Sequence, residues 1–121
     1  MRNNIEQARG ANMRIDQGWF LASANIVPPD NYVLDPASPP FLILNPAGAV
    51  GILMPVSTEA RKGLTFLMVN VSASTITLKT SAGAGFATAI VLLAGESTLV
   101  FCTGDATANL GWRAIGTTTS A

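Results

Sequence analysis

The chain has no histidine and a single cysteine, and only 12% of its 121 residues are charged. Each scarcity closes off some chemistry. Without imidazole there is no Ser-His or Cys-His relay and no histidine metal ligand. One thiol cannot form an internal disulfide, and Cys102 follows the apolar run Leu99-Val100-Phe101, the setting of a buried structural thiol. Acids are thinly spread as well. Asp30 and Asp35 are the closest pair, in a proline-rich segment that suits turn formation and solvation rather than paired-carboxylate hydrolysis. Asp16 and Asp105 stand alone, with no calcium-loop spacing around them. "SAGAGFA" (81–87) is rich in glycine but lacks the Lys-Ser/Thr pair a phosphate loop requires. Asn70-Val71-Ser72 matches a glycosylation sequon by chance. The expectation is a protein that is not an enzyme, with no catalytic residue, metal or cofactor.

Charge of either sign is also missing where partners would need it. Seven basic and seven acidic residues give a formal net charge of zero, and Arg61-Lys62 is the only adjacent basic pair. No cationic stripe exists to neutralise a row of phosphates, so nucleic acid is not an expected partner. Long apolar runs are absent too. The uncharged stretch from Pro36 to Thr58 is interrupted by Pro39, Pro40, Pro46, Gly48, Gly51 and Pro55, and cannot run as one helix. Arg2, Glu6, Arg9, Arg14 and Asp16 break the N-terminus where a secretory signal has its apolar core. A soluble protein made in a cytoplasm, without a membrane partner, is expected.

What the chain does have is grease: 49% of its residues are hydrophobic. A chain of this length buries roughly 65% of the surface it exposes when unfolded, which is enough for one independent core. With so few charges to face water, some of its surface is expected to be covered by other protein. Residues 1–40 read as an extended arm. Asn3 or Asn4 caps a short helix through Arg9, with Glu6 in the first turn and Gly10 ending it. Large apolar groups without a period follow, and then "VPPDNYVLDPASPP", whose prolines favour an extended path. Trp19, Phe20 and Tyr32 are the arm's candidate contact residues.

From Phe41 onward short apolar segments alternate with turn residues, which predicts an all-β domain over 41–116 and a flexible tail over 117–121. The predicted strands are Phe41–Leu44, Val50–Met54, Leu64–Val71, Ser74–Thr80, Phe86–Leu92, Ser97–Cys102 and Trp112–Ile115. In Ser74–Thr80, Ile76 and Leu78 share one face while Thr75, Thr77 and Lys79 share the other, giving a strand with one wet side. Leu64–Val71 and Phe86–Leu93 instead carry apolar groups on both faces. A two-layer sandwich covers only one face of each sheet, and no amphipathic helix is available to cover the other. A second copy of the chain, its own arm, or closure into a barrel would serve. The expectation taken forward is a homo-oligomer, with Leu64, Phe66, Val69 and Val91 as candidate interface residues.

The order of elements from Ala60 to Ile115 resembles a pattern recurrent in virion proteins of tailed bacteriophages. "ARKGLTFLMVNVSASTITLKTSAG" leads into "AIVLLAGESTLVFCTGDATANLGWRAI", with landmarks Gly63, Asn70, Thr75, Thr77, Gly83, Leu93, Gly95, Glu96, Ser97, Cys102, Gly111 and Trp112. One departure is the end loop, "TGDATANLGW", longer than the short Asp-Gly-Thr loop of the pattern. The resemblance implies an antiparallel β-sandwich or jelly roll, often trimeric, displayed on phage heads or built into tail fibres. It implies first a capsid decoration (cement) protein on the outer surface of the virion, clamping neighbouring major capsid proteins. The alternative is a tail-fibre or tail-tip module binding a host surface glycan. The β domain is expected to fold without residues 1–40, and deleting them to abolish capsid binding. As core or turn groups, Trp112 is expected to pack inside, Asn70 to bond the turn after it, and Gly95 and Gly111 to take positive φ.

Overall fold

Glycine and proline divide the apolar segments too finely for helix. Among the described residues helix is confined to two short 3-10 turns, Glu59–Arg61 and Ala108–Leu110. None is long and apolar enough to cross a membrane. The structure, a computed structural model, describes residues 13–14, 18–19 and 22–119, with side chains from 22 to 116. The predicted helix over the first ten residues lies outside these.

Among the described residues, strands β1 (Met13–Arg14) and β2 (Gly18–Trp19) pair only with each other. After them the chain alternates between two larger sheets. β3 (Ser23–Ile26), β5 (Phe41–Leu44) and β7 (Thr65–Asn70) lie side by side in one; β4 (Tyr32–Val33), β6 (Val50–Leu53) and β8 (Ile76–Lys79) lie side by side in the other. All neighbours within each trio are parallel: Ser23 lies beside Phe41 and Phe41 beside Leu67, while Tyr32 lies beside Ile52 and Ile52 beside Leu78. The chain therefore winds through three stacked circuits, each one strand in each sheet. β9 (Val91–Leu92) then pairs antiparallel with β8. β10 (Glu96–Cys102) pairs antiparallel with β7, and β11 (Trp112–Thr119) with β10, to complete sheets of four and five strands.

The β-rich class was expected; an antiparallel jelly roll was not observed. The sheets are mixed, because each connection after β3 through β7 crosses to the opposite sheet instead of turning back as a hairpin. A parallel neighbour requires such a crossover. The boundary at residue 40 is corrected in the same way. β3 and β4 lie before it yet form parts of the two sheets, and Leu34, 2% exposed, is in the core. Deleting residues 1–40 would remove a strand from each sheet. The predicted strand Phe86–Leu92 is also shorter: only Val91–Leu92 pairs, while Phe86 and Ile90 reach the core from irregular chain whose Ala87 N–H donates to the Asn109 carbonyl.

Alternation decides what is inside. Leu42 and Leu44 of β5, Ile52 of β6, Phe66 and Met68 of β7, Ile76 and Leu78 of β8, Leu92 of β9 and Val100 and Cys102 of β10 form one continuous core between the sheets. Trp112 closes one end of it, and Cys102 is buried, its thiol 3.3 Å from Ser57 Oγ. Both glycine expectations concern turns, and they separate. Gly95, at φ +78, occupies the third position of the Leu93–Glu96 turn, closed by the Glu96 N–H donating to Leu93 O at 3.0 Å. Gly111 has an ordinary φ of −77. Its requirement is space: a Cβ there would stand 2.4 Å from Ser57 Cβ, beside the buried Trp112. Gly111→Ala is expected to cost about 2 kcal/mol in urea unfolding by forcing the Ser57 and Gly111 segments apart. A wild-type midpoint would remove this reading.

Candidate functional site: the outer face of the five-stranded sheet

Side chains along a strand point alternately to the two faces of its sheet, so the residues between the core positions define the outer surface. In β7 the inward set is Phe66, Met68 and Asn70, leaving Thr65, Leu67 and Val69 outside. In β10 the outward set is Ser97, Leu99 and Phe101. Register then lays these residues out in rows. Phe41, Leu67, Leu99 and Ile115 are successive neighbours across β5, β7, β10 and β11, with Ser23 of β3 at the end of the row. A second row runs Asn25, Ile43, Val69, Ser97, and a third Thr65, Phe101, Arg113. The middle of this face is thus a contiguous apolar surface built from β5, β7 and β10, with polar Ser23 and Asn25 at one rim and Arg113 at the other. Its central side chains are half-buried, and Ile115 stands 60% exposed.

A sheet face meeting water ordinarily reads as Thr, Lys and Glu alternating with the core set. Here the described outer positions of β5, β7 and β10 contain no charge.

The opposite sheet has a different exterior. Leu53, Thr77, Lys79 and Val91 face outward around Gly51, and Asp30, Thr75, Thr77 and Lys79 border a shallow depression of about 220 Å³ over it. The Lys79 stem crosses the space a side chain at position 51 would take: a Cβ on Gly51 would lie 2.9 Å from Lys79 Cε. Asp30 Oδ1 accepts the Gly51 N–H at 2.8 Å and the Asn31 N–H at 3.1 Å, with Asn31 at φ +60. The carboxylate thereby takes the ladder position that β4, only two residues long, does not reach.

Of the interface residues expected from sequence, the structure places one on the apolar face. Val69 is there. Phe66 is corrected: as its odd-even opposite it points inward, 1% exposed, its ring 5.9 Å from Trp112. Leu64 precedes β7 and packs against the core, and Val91 lies on the outside of the other sheet, beside Thr77. Of the arm residues, only Tyr32 has a described side chain. Tyr32 belongs to β4 and packs on the core. Trp19 is described only as backbone of β2, and Phe20 lies outside the described residues. Sequence reasoning missed Phe41, Ile43, Leu67, Leu99, Phe101 and Ile115. The signal was present, since "TLVFC" is as apolar on both faces as "LTFLMV".

Compared with family models, curated proteins and solved structures, the chain matches none.

Proposed function

We propose that the chain is a structural virion protein, a decoration or cement protein that assembles as a homotrimer on the outside of a phage head and clamps neighbouring major capsid proteins. The observation that carries this reading is the apolar outer face of the five-stranded sheet, centred on Leu67 and Leu99, whose described positions on β5, β7 and β10 carry no charge. A second copy supplies the missing layer; the polar rims at Asn25 and Arg113 bound the contact. The low charge and the sequence resemblance support it too. Strength would come from many modest contacts repeated around a closed symmetric shell, each adding to the stability of the assembled state.

A second reading, a tail-fibre or tail-tip module that holds a host glycan, is favoured by one observation. The depression bordered by Asp30, Thr75, Thr77 and Lys79 offers hydroxyl, ammonium and carboxylate groups of the kind that bind sugar hydroxyls.

Light scattering on the full chain and co-sedimentation with purified empty heads test the first reading together. Wild type is expected to have the mass of a trimer and to saturate a fixed number of sites per head. The double variant Leu67→Asn, Leu99→Asn is expected to be monomeric with its fold intact. A wild-type monomer at micromolar concentration that ignores heads would end the cement reading. Retention on a host glycan array under those conditions would move the assignment to the second.

A further inference from the structure

The three circuits are closed on one side and open on the other. Antiparallel β10 and β11 extend the five-stranded sheet beyond β7, and β9 extends its partner beyond β8. At the opposite side β3 is the terminal strand, with no neighbour beyond it among the described residues. The N–H and C=O of one strand residue point toward the same neighbour, and those of the next residue point the other way. The Ala22 carbonyl accepts from the Phe41 N–H at 3.2 Å and the Ile26 carbonyl from the Asn45 N–H at 2.9 Å. Ala22, Ala24 and Ile26 therefore serve β5, and Ser23 and Asn25 turn their backbone groups to the open edge.

Terminal strands are ordinarily blunted by charge, proline, a bulge or extreme shortness. The other terminal strands here show such devices. β11 carries the exposed Arg113, a register shift opposite Thr98/Leu99 and Gly116 at φ +57. β4 and β9 are two residues long, and β4 is preceded by Pro28-Pro29. β3 has four paired residues, Ser-Ala-Asn-Ile, with no charge, proline or bulge among them. It is an edge left available for pairing.

The same chain holds a complementary element. Among the described residues the β1–β2 ribbon forms a sheet of its own, pairing with neither large sheet. A two-stranded ribbon alone is marginal in water and gains from a third strand. We infer that in the assembled protein the β1–β2 ribbon of one copy adds to the β3 edge of a second copy. Each copy both gives a ribbon and receives one, a heterologous contact that closes as a ring. This rests on the homo-oligomer reading above and names the backbone contact that joins its copies.

Two variants of the full chain test it, both at the position whose N–H faces outward. Asn25→Pro deletes that donor while leaving the β5 ladder intact, and Asn25→Lys places a charge on the edge. Each is expected to weaken self-association by at least about tenfold, with the monomer's unfolding midpoint unchanged. In wild type the Ser23 and Asn25 amides are expected to be protected from hydrogen exchange in the oligomer and to lose that protection on dilution. Wild-type association by both variants would overturn the inference and leave the apolar-face reading standing. Protection that survives dilution to monomer would also overturn it, since the chain would then be covering its own edge. A wild-type chain that never associates would end both.

Discussion

Trp112→Ala is expected to lower the unfolding free energy by about 4 kcal/mol, the upper range for truncating a buried aromatic. Trp112 is 1% exposed, at the start of the last strand, where its ring tilts against Phe66 and closes the end of the core. Its indole Nε1–H donates to the Pro55 carbonyl at 2.9 Å, in a buried position. Alanine leaves both a cavity and that carbonyl without its donor. With total stabilities of about 5–15 kcal/mol, the change is large enough to leave a substantial unfolded fraction at 37 °C. Trp112→Phe separates the two effects: it keeps most of the volume and loses only the bond, at about 1–2 kcal/mol. Urea unfolding followed by circular dichroism reads both. An alanine variant within 1 kcal/mol of wild type would mean that this end of the core carries little of the fold's stability.

Asn70→Ala is expected to have a comparable effect through hydrogen bonding alone. The side chain is fully buried. Its amide donates to the carbonyls of Ser74 at 2.7 Å, Leu93 at 3.1 Å and Leu92 at 3.2 Å. Its carbonyl oxygen accepts from the Ser72 N–H at 3.0 Å and Ser72 Oγ at 2.7 Å. One residue thus ties the end of β7 to the turn before β8 and to the chain between β9 and β10, joining the two sheets at that end. Its loss strands several buried backbone groups at once, at about 3 kcal/mol. Asn70→Asp is expected to be worse still, because a carboxylate would face carbonyl oxygens with no proton to offer them. Thermal unfolding measures the pair. Equal midpoints for Asn70→Ala and wild type would sink the account.

Much of this was readable in the chain, and the failures share causes. Phe41–Leu44 and Trp112 at the head of the last strand were legible because turn residues bracket them. Ile76 and Leu78 showed their face by clean alternation against Thr77 and Lys79. Phe66 was assigned to the wrong side because alternation carries no sign when both sets are apolar. Only the groups fixed inside, Asn70 and Met68 on the same parity, reveal which set is inward. β3 was invisible for a different reason. "SANI" has little strand propensity, and it pairs because the winding sets it beside Phe41–Leu44. Parallel order cannot be read from strand composition at all, since it belongs to the connections. The apolar face follows from the register of β5, β7 and β10, which no single segment contains.

The winding also dictates when the fold can form. β7 gains its antiparallel neighbour only from β10, and the core is sealed by Trp112 close to the end of the described chain. As the polypeptide leaves the ribosome, its early strands have few sequence-local partners, and the pairings that reward loop closure are separated by whole circuits. Trp112 must therefore have left the ribosome before the molecule collapses to its native form, and until then "FLIL" and "LTFLMV" travel exposed through a crowded cell. A nascent chain of this design is a natural client for holding chaperones, and translation speed over the final strands bears on the yield of folded protein.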